Sequence, residues 1–203
     1  NKVFDETHWN ISSTKRHQPY SYSKTIAERE AWDLAKKAKN WDLVVLNPGM
    51  VLGPSLTQRS DSTSIDLIIS LLKGKYRMGV PNLYFGFVDV RDVARAHIAA
   101  IDHAPVSGRH LLVAETKSMM EIVEMIREKY KNFPLPIKPL PKWLLYAVGP
   151  FQGFSYRYVR NNVNIPLDFD NSYAKNDLGI HFRPLQESLS DQIEQLLKDG
   201  FIN

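Results

Sequence analysis

The spacing of apolar residues predicts a long helix followed by a buried strand in the first quarter of the chain. The helix spans about residues 20–39, with an apolar stripe made of Ile26, Ala27, Ala31, Leu34 and Ala35. The strand spans residues 42–47, and its uninterrupted apolar run is typical of a parallel strand covered on both faces. Pro48 and Gly49 end this strand. Because ligands of open α/β sheets bind outside the carboxyl ends of strands, residues 48–51 are predicted to lie where a cofactor binds.

Further helices and strands alternate along the rest of the chain, which predicts an α/β fold. The predicted helices span residues 64–74, 89–102, 119–130 and 186–198, and the predicted strands span residues 84–88 and 109–114. The second of these helices is expected to turn inward a face that consists of Val93, Ala94, His97, Ile98 and Ile101. Residues 56–64, rich in Ser and Thr, are predicted to form a loop at the border of the active-site cleft.

Composition excludes several classes of function. With 43% hydrophobic and 24% charged residues, the chain has the composition of an ordinary globular protein. The net charge of +4 is mild and its basic and acidic residues are interleaved, so no nucleic-acid partner is expected. There is no cysteine for a disulfide, a thiol nucleophile or a zinc–thiolate site, and the six histidines lack metal-ligand spacing. No apolar run is long enough for stable membrane insertion, and a cytoplasmic protein is expected.

Tyr20 and Lys24 are the candidate catalytic residues. They stand four residues apart at the start of the predicted helix, so their side chains share one face. An ammonium beside a phenol favours the phenolate, and such a phenol can exchange a proton near neutral pH. This chemistry suits carbonyl reduction, in which hydride reaches the carbon while Tyr20 protonates the oxygen. The alternative is a surface pair that only stabilises the helix by a few tenths of a kcal/mol.

Four stretches in the same order resemble one enzyme family. Residues 19–28, followed by Ala31-Trp32, resemble the active-site helix Tyr-x-x-Ser-Lys-x-x-Ala-Glu of extended short-chain dehydrogenases/reductases, the NAD-dependent epimerase/dehydratase superfamily. Residues 47–54, 87–97 and 171–179 resemble that family's Asn-Pro-x-x-Val-x-Gly-Pro, Phe-Val-x-Val-x-Asp-Val-Ala-x-Ala-His and Ser-x-Lys-x-x-x-Leu-Gly. The similarity is greatest to the dihydroflavonol reductase and cinnamoyl-CoA reductase branch.

The resemblance implies a fold and a domain arrangement. The expected fold is the C-terminal part of a Rossmann-type doubly wound parallel sheet together with a small α/β substrate-binding lobe. Residues 1–114 would be the remaining part of the dinucleotide-binding domain, with lobe segments interleaved at about 48–86. Residues 115–203 would be mainly the substrate-binding lobe and the C-terminal helices.

The resemblance also implies an activity, an NAD(P)H-dependent carbonyl reductase or alcohol dehydrogenase that takes NADP or NAD. Tyr20 would be the general acid/base, and Lys24 would assist it and bond the nicotinamide ribose hydroxyls. The nicotinamide carboxamide would be held by backbone groups of Pro48, Gly49, Met50 and Val51. Substrate contacts would come from Tyr84, Phe85, Phe87 and Trp143. The expected partners are a small-molecule carbonyl or alcohol substrate and, in a homodimer, a second copy of the chain.

The chain lacks two features of this family, which keeps a non-catalytic alternative open, and the shared Tyr–Lys pair leaves a second enzyme alternative open. No window fits the Gly-rich fingerprint G-x-G-x-x-G, and the family's active-site serine should lie some tens of residues before Tyr20. The chain is therefore expected to be the C-terminal portion of a longer reductase, whose activity needs the N-terminal half. The alternatives are a nucleotide-sugar epimerase/dehydratase or hydroxysteroid dehydrogenase of the same superfamily, and a non-catalytic fragment or interaction module.

Overall fold

A computed structural model describes residues 2–57, 62–102 and 106–202. The strands are β1 Lys2–Phe4, β2 Val44–Pro48, β3 Met50–Leu52, β4 Val80–Pro81, β5 Tyr84–Asp89, β6 Gly108–Leu112, β7 Glu115–Ser118, β8 Pro139–Leu140 and β9 Leu167–Phe169. The helices are α1 Pro19–Ala35, α2 Thr63–Leu72, α3 Val90–Asp102, α4 Met119–Lys129, α5 Lys142–Val148, α6 Tyr156–Asn162, α7 Ser172–Leu178 and α8 Leu185–Lys198. A 3₁₀ turn, Gly149–Gln152, follows α5. Of the loop expected over residues 56–64, residues 58–61 lie outside the described residues.

Parallel pairing dominates among the described strands. β2 pairs with β6, β1 with β9, β3 with β5 and β4 with β8, all in parallel, whereas β7 runs antiparallel to β5. Parallel strands need crossover connections: α2 lies between the paired strands β3 and β5, and α2 and α3 both lie between the paired strands β2 and β6. The predicted α/β class is confirmed.

Two apolar cores lie on opposite faces of β5. Side chains alternate along a strand, so Phe87 points into one core and Val88 into the other. The larger core joins β5 to α2, α4 and α8 through residues such as Leu71, Ile122 and Ile193. The smaller core joins it to α3, β6 and α7. Late segments of the chain, β9 and α7, therefore pack against elements of the first half.

Of the inward face predicted for α3, Val93 packs against the smaller core, but the prediction is wrong for Ala94, His97, Ile98 and Ile101, which are exposed. The buried residues of this helix are Asp92, Ala96 and Ala99, whereas Ile98 and Ile101 are 59% and 81% exposed. The carboxylate of Asp92 accepts the Arg183 backbone N–H at 2.7 Å and pairs with the Arg95 guanidinium, which fixes the rotation of α3. The small alanines then lie against the smaller core, and the isoleucines face outward.

Two glycines allow the chain to pass from β2 to β3. Gly49 lies between these strands and donates its N–H to the carbonyl of Leu112 at 3.1 Å. A Cβ placed at Gly49 would lie 2.3 Å from the carbonyl oxygen of Gly86, closer than real Cβ contacts. A Cβ at Gly86 would in turn lie 2.8 Å from Val113. Close backbone approach at these glycines sets where residues 48–51 lie.

Candidate active site

A tight turn and one unusual backbone conformation fix the start of α1. Thr14 and His17 exchange two backbone hydrogen bonds, of 2.8 and 3.1 Å. Gln18 then adopts φ 53° and ψ 58°, a left-handed conformation that costs a non-glycine residue about 1–2 kcal/mol. Pro19 follows at the first helical position, where its fixed φ and missing N–H suit the helix. Tyr20 therefore begins the helix at a defined angle.

The structure brings Tyr20 and Lys24 together on one face of α1. The Lys24 Nζ lies 5.6 Å from the centroid of the Tyr20 ring. Tyr20 is 74% exposed and Lys24 is exposed too, so the hydroxyl and the ammonium are both accessible to a ligand. The arrangement matches the geometry that the spacing predicts.

Glu28, one helical turn beyond Lys24, anchors α1 to the sheet. Its Oε1 accepts from the Arg109 Nε at 2.5 Å, and its Oε2 accepts from the Asn47 Nδ2 at 3.1 Å. The side chains of Glu28 and Arg109 are only 12% and 15% exposed. Only residues 36–43 connect α1 to β2, so the helix runs back along the strand. Because Glu28 contacts the penultimate residue of β2, Lys24 lies toward the carboxyl end of that strand.

Arg109 extends this network to the start of the chain. Its Nη1 donates to the carbonyls of Glu6 at 2.6 Å and His8 at 3.1 Å, and its guanidinium lies 4.0 Å from the Trp9 ring centroid. Nearby, hydrogen bonds from Thr7 and His8 lower the pKa of Asp5 to about 2. The segment after β1, helix α1 and strands β2 and β6 are thus tied together by polar contacts.

The residues at the end of β2 fit a nicotinamide nucleotide in two respects. Tyr20 and Lys24 offer a hydroxyl and an ammonium toward the carboxyl end of a parallel strand, where such ligands bind. Asn47 Oδ1 is buried there and has no hydrogen-bond partner among the described residues, so it is an acceptor that a ligand can use. The N–H of Gly49 is already taken by Leu112, which leaves other backbone groups of residues 48–51 for the carboxamide.

The sequence pattern of this region decides the family. Residues 3–114 match the model of the "NAD dependent epimerase/dehydratase family", which covers more than half of the chain. The chain belongs to this family. The matched residues include all predicted catalytic and cofactor-binding positions, whereas Trp143 lies beyond them.

Known members of the wider superfamily resemble the chain along nearly its whole length. Cinnamoyl-CoA reductase CAD2 of Medicago truncatula is 34% identical over 203 residues, covering 99% of this chain and 55% of that protein. The NADPH-dependent methylglyoxal reductase GRE2 of Saccharomyces cerevisiae is 29% identical over 209 residues, covering 97% and 57%. The crystal structure of yeast methylglyoxal/isovaleraldehyde reductase Gre2 complexed with NADPH superposes with a TM-score of 0.76 at 25% identity, covering 99% and 59%. The chain spans about half the length of the curated relatives it matches, and its fold is Rossmann-type.

The substrate residues expected for an epimerase/dehydratase-family reductase fall in different environments. Tyr84 and Phe85 begin β5 and are half-buried. Phe87 is 1% exposed in the larger core, 6.3 Å from the Phe85 ring, so its burial does not support a direct substrate contact. Trp143 is 70% exposed on α5.

Sequence reasoning missed the anchoring role of Glu28, Asn47 and Arg109 in this family site. Glu28 and Asn47 belong to the motifs that carry the resemblance, but neither motif indicates a partner. The available signal was the i,i+4 spacing from Lys24 to Glu28, which places both on one face.

Two further observations concern metal binding and membrane-spanning helices. In the described part of the chain, no group of three or more His, Cys, Asp or Glu is placed to hold a metal ion. Within the same residues, no helix has the length and apolar character needed to cross a bilayer.

A cavity of about 400 Å³, lined by Trp9, Arg29, Trp32, Asp33, Lys36 and Arg109, lies beside the second half of α1. At 1.5 Å per residue, Trp32 is about 18 Å along the helix from Tyr20, so this cavity is separate from the candidate active site.

Proposed function

We propose that the complete protein is an NADPH-dependent reductase of small-molecule carbonyl compounds. The observation that carries this proposal is the exposed Tyr20–Lys24 pair, held by Glu28 toward the carboxyl end of β2. Membership of the NAD dependent epimerase/dehydratase family, and the similarity to the NADPH-dependent methylglyoxal reductase of yeast, support the choice of reaction and cofactor.

In the proposed mechanism Tyr20 transfers the proton. NADPH, when bound, would supply the hydride for the carbonyl carbon. The Tyr20 hydroxyl donates its proton to the carbonyl oxygen, so that an alcohol forms. The Lys24 ammonium, 5.6 Å from the phenol ring, stabilises the negative charge that develops on the Tyr20 oxygen. Lys24 also has donors for the ribose hydroxyls of the nicotinamide nucleotide, which would orient the reacting ring.

The carbonyl substrate is assigned to the start of β5, where Tyr84 and Phe85 lie on opposite faces of the strand. Both rings are half-buried and follow Leu83, which closes the larger core. Half-buried aromatic rings offer apolar surface to an organic substrate without exposing the core. Phe87 supports Phe85 from behind through an edge-to-face contact. Trp143, exposed on α5, stays a predicted substrate contact.

The test is NADPH oxidation by the complete protein over a panel of aldehydes and ketones, followed by absorbance. Tyr20→Phe is expected to lower kcat by about 10²-fold or more, the contribution typical of a general acid. Tyr22→Phe is the matched control, because it removes a phenol hydroxyl from the same helix two residues away, on another face. The control variant should keep wild-type turnover.

Retention of full turnover by Tyr20→Phe would refute the catalytic assignment. If the wild-type protein binds NADPH but reduces no member of the panel, the reductase proposal fails. If it binds neither NADPH nor NADH, the reductase proposal fails as well.

A further inference from the structure

Basic and acidic residues are segregated in this chain, contrary to the expected interleaving. Residues 67–88 and 129–167 contain nine Lys and Arg and not one Asp or Glu. The other seventeen basic residues stand against all twenty-two acidic ones, so the remainder of the chain carries a net charge of −5. The modest net charge of +4 is therefore the sum of a strongly basic portion and an acidic remainder.

The two acid-free stretches fold into one body, here called the basic lobe. Strands β4 and β8 pair across them, with Val80 opposite Pro139. The Asn82 side-chain amide donates to the Asn164 side chain at 3.0 Å, and the Asn164 N–H donates to the Asn82 carbonyl at 2.9 Å. Gly74 packs against Pro134. Basic residues that are distant in sequence thus belong to one folded unit.

Most cations of the basic lobe have no carboxylate partner. Lys129 pairs with Glu194, and Lys142 donates to the carbonyls of Arg160 and Val163. In the part of the chain that the structure describes, no salt bridge involves the other seven, all of which are exposed: Lys73, Lys75, Arg77, Lys131, Lys138, Arg157 and Arg160.

Large apolar side chains protrude among these cations. Met78 and Ile137 are 79% and 78% exposed, and each lies two residues before a strand of the β4–β8 pair, next in sequence to Arg77 and Lys138. Phe151 and Tyr156, two aromatic side chains of the same lobe, are also at least 60% exposed. Exposed apolar groups that cluster in this way mark an interaction surface.

We propose that the basic lobe binds the surface of an anionic phospholipid bilayer, with Ile137, Met78 and Phe151 inserted at the level of the headgroups. Cationic side chains next to an anionic bilayer and apolar side chains buried at its boundary are the two signals that together give peripheral binding. A nucleic acid or other soluble polyanion would use the cations but leave the protruding aliphatic side chains in water. The proposal concerns attachment to one face and is independent of the proposed reductase activity.

The experiment is cosedimentation of the complete protein with phosphatidylcholine vesicles, with and without about one third phosphatidylserine. Binding is expected only to the anionic vesicles, and it should weaken with salt as the Debye length falls from about 10 Å at 0.1 M to about 3 Å at 1 M. Equal binding to neutral vesicles, or no binding to anionic vesicles at low salt, overturns the proposal.

Two matched pairs of variants test the insertion and the charge separately. Ile137→Ser is expected to reduce the partition coefficient about tenfold, whereas Ile101→Ser, equally exposed on α3 outside the basic lobe, leaves it unchanged. Lys138→Gln is expected to reduce it about fivefold, and Lys198→Gln at the end of α8 serves as its control. If heparin binds as tightly as the vesicles and Ile137→Ser has no effect, the lobe binds soluble polyanions and the bilayer proposal is wrong.

Discussion

Glu28 should stabilise the protein more than any exposed acid of α1, although it touches no reacting atom. Its carboxylate accepts hydrogen bonds from Arg109, Asn47 and Trp32, at 2.5, 3.1 and 3.3 Å for the shortest bond to each. Glu28→Ala would leave the guanidinium of Arg109 largely buried without its counter-charge. Removing one member of a buried ion pair costs about 3–5 kcal/mol. In this variant Arg109 keeps its contacts with two backbone carbonyls and the Trp9 ring. We therefore expect the free energy of unfolding to fall by about 3 kcal/mol, the lower end of that range.

The matched control is Asp33→Ala on the same helix. Asp33 pairs with Lys36 at 3.1 Å, but these side chains are 58% and 73% exposed. An exposed pair at this spacing contributes at most about 0.5 kcal/mol. Urea unfolding of the complete protein, followed by tryptophan fluorescence, measures both variants. Trp9 and Trp32 lie in the network, so the signal also reports its local opening.

A double-mutant cycle separates the ion pair from the rest of the network. Glu28→Ala and Arg109→Ala should couple by about 2 kcal/mol, because the two residues share a direct contact. Glu28→Gln keeps an acceptor for Asn47 and should lose about half as much stability as Glu28→Ala. If Glu28→Ala is no more destabilising than Asp33→Ala, the carboxylate does not hold α1, and Glu28 is not the residue that anchors the candidate active site.

Two other properties can be tested in the same unfolding assay. Gly49→Ala should destabilise by about 3 kcal/mol, because its Cβ would meet the Gly86 carbonyl, an obstacle that only backbone movement can relieve. Gly153→Ala, where nothing lies within 4 Å and φ is 85°, should cost only about 1–2 kcal/mol; equal losses would contradict the packing argument. Burial raises the pKa of Asp89, but hydrogen bonds and charge from Arg91 outweigh it and hold that pKa below 3.8. The stability that Asp89 contributes is therefore present above pH 3.8 and is lost as the pH falls through its folded pKa. Asp89→Asn should flatten this part of the acid unfolding profile. An unchanged profile would refute the lowered pKa of Asp89.

The sequence predicted elements better than it predicted which side chains they bury. α1 was expected as a helix with an apolar stripe, and the helix forms at Pro19–Ala35, but none of its residues is buried among those described. In α3 the apolar pattern pointed to the isoleucines, whereas a carboxylate is the residue at the centre of the packing. Periodicity counts apolar residues on a face and carries no information about a tertiary hydrogen bond that rotates the helix.

The candidate site likewise has a local part that could be predicted from the sequence and a long-range part that could not. The Tyr20–Lys24 pair is local, so its spacing was enough to predict that the two side chains meet. The anchor of that pair is not local, because Glu28 reaches Asn47 and Arg109 across 19 and 81 residues. No motif spacing encodes such contacts, and they become visible only when α1 is laid against β2 and β6.

Polar contacts rather than burial determine where the candidate catalytic phenol lies. Within the described chain, the Glu28 network ties α1 to β2 and β6, Arg29 contacts the Trp9 ring, and the left-handed turn at Gln18 sets where the helix begins. A displacement of about 1 Å at a reacting group can cost about 10²-fold in rate. Glu28→Ala should therefore lower kcat of the reductase even though Glu28 lies two turns from Tyr20. A variant that loses stability but keeps full kcat would mean that the N-terminus of α1 is held by other contacts.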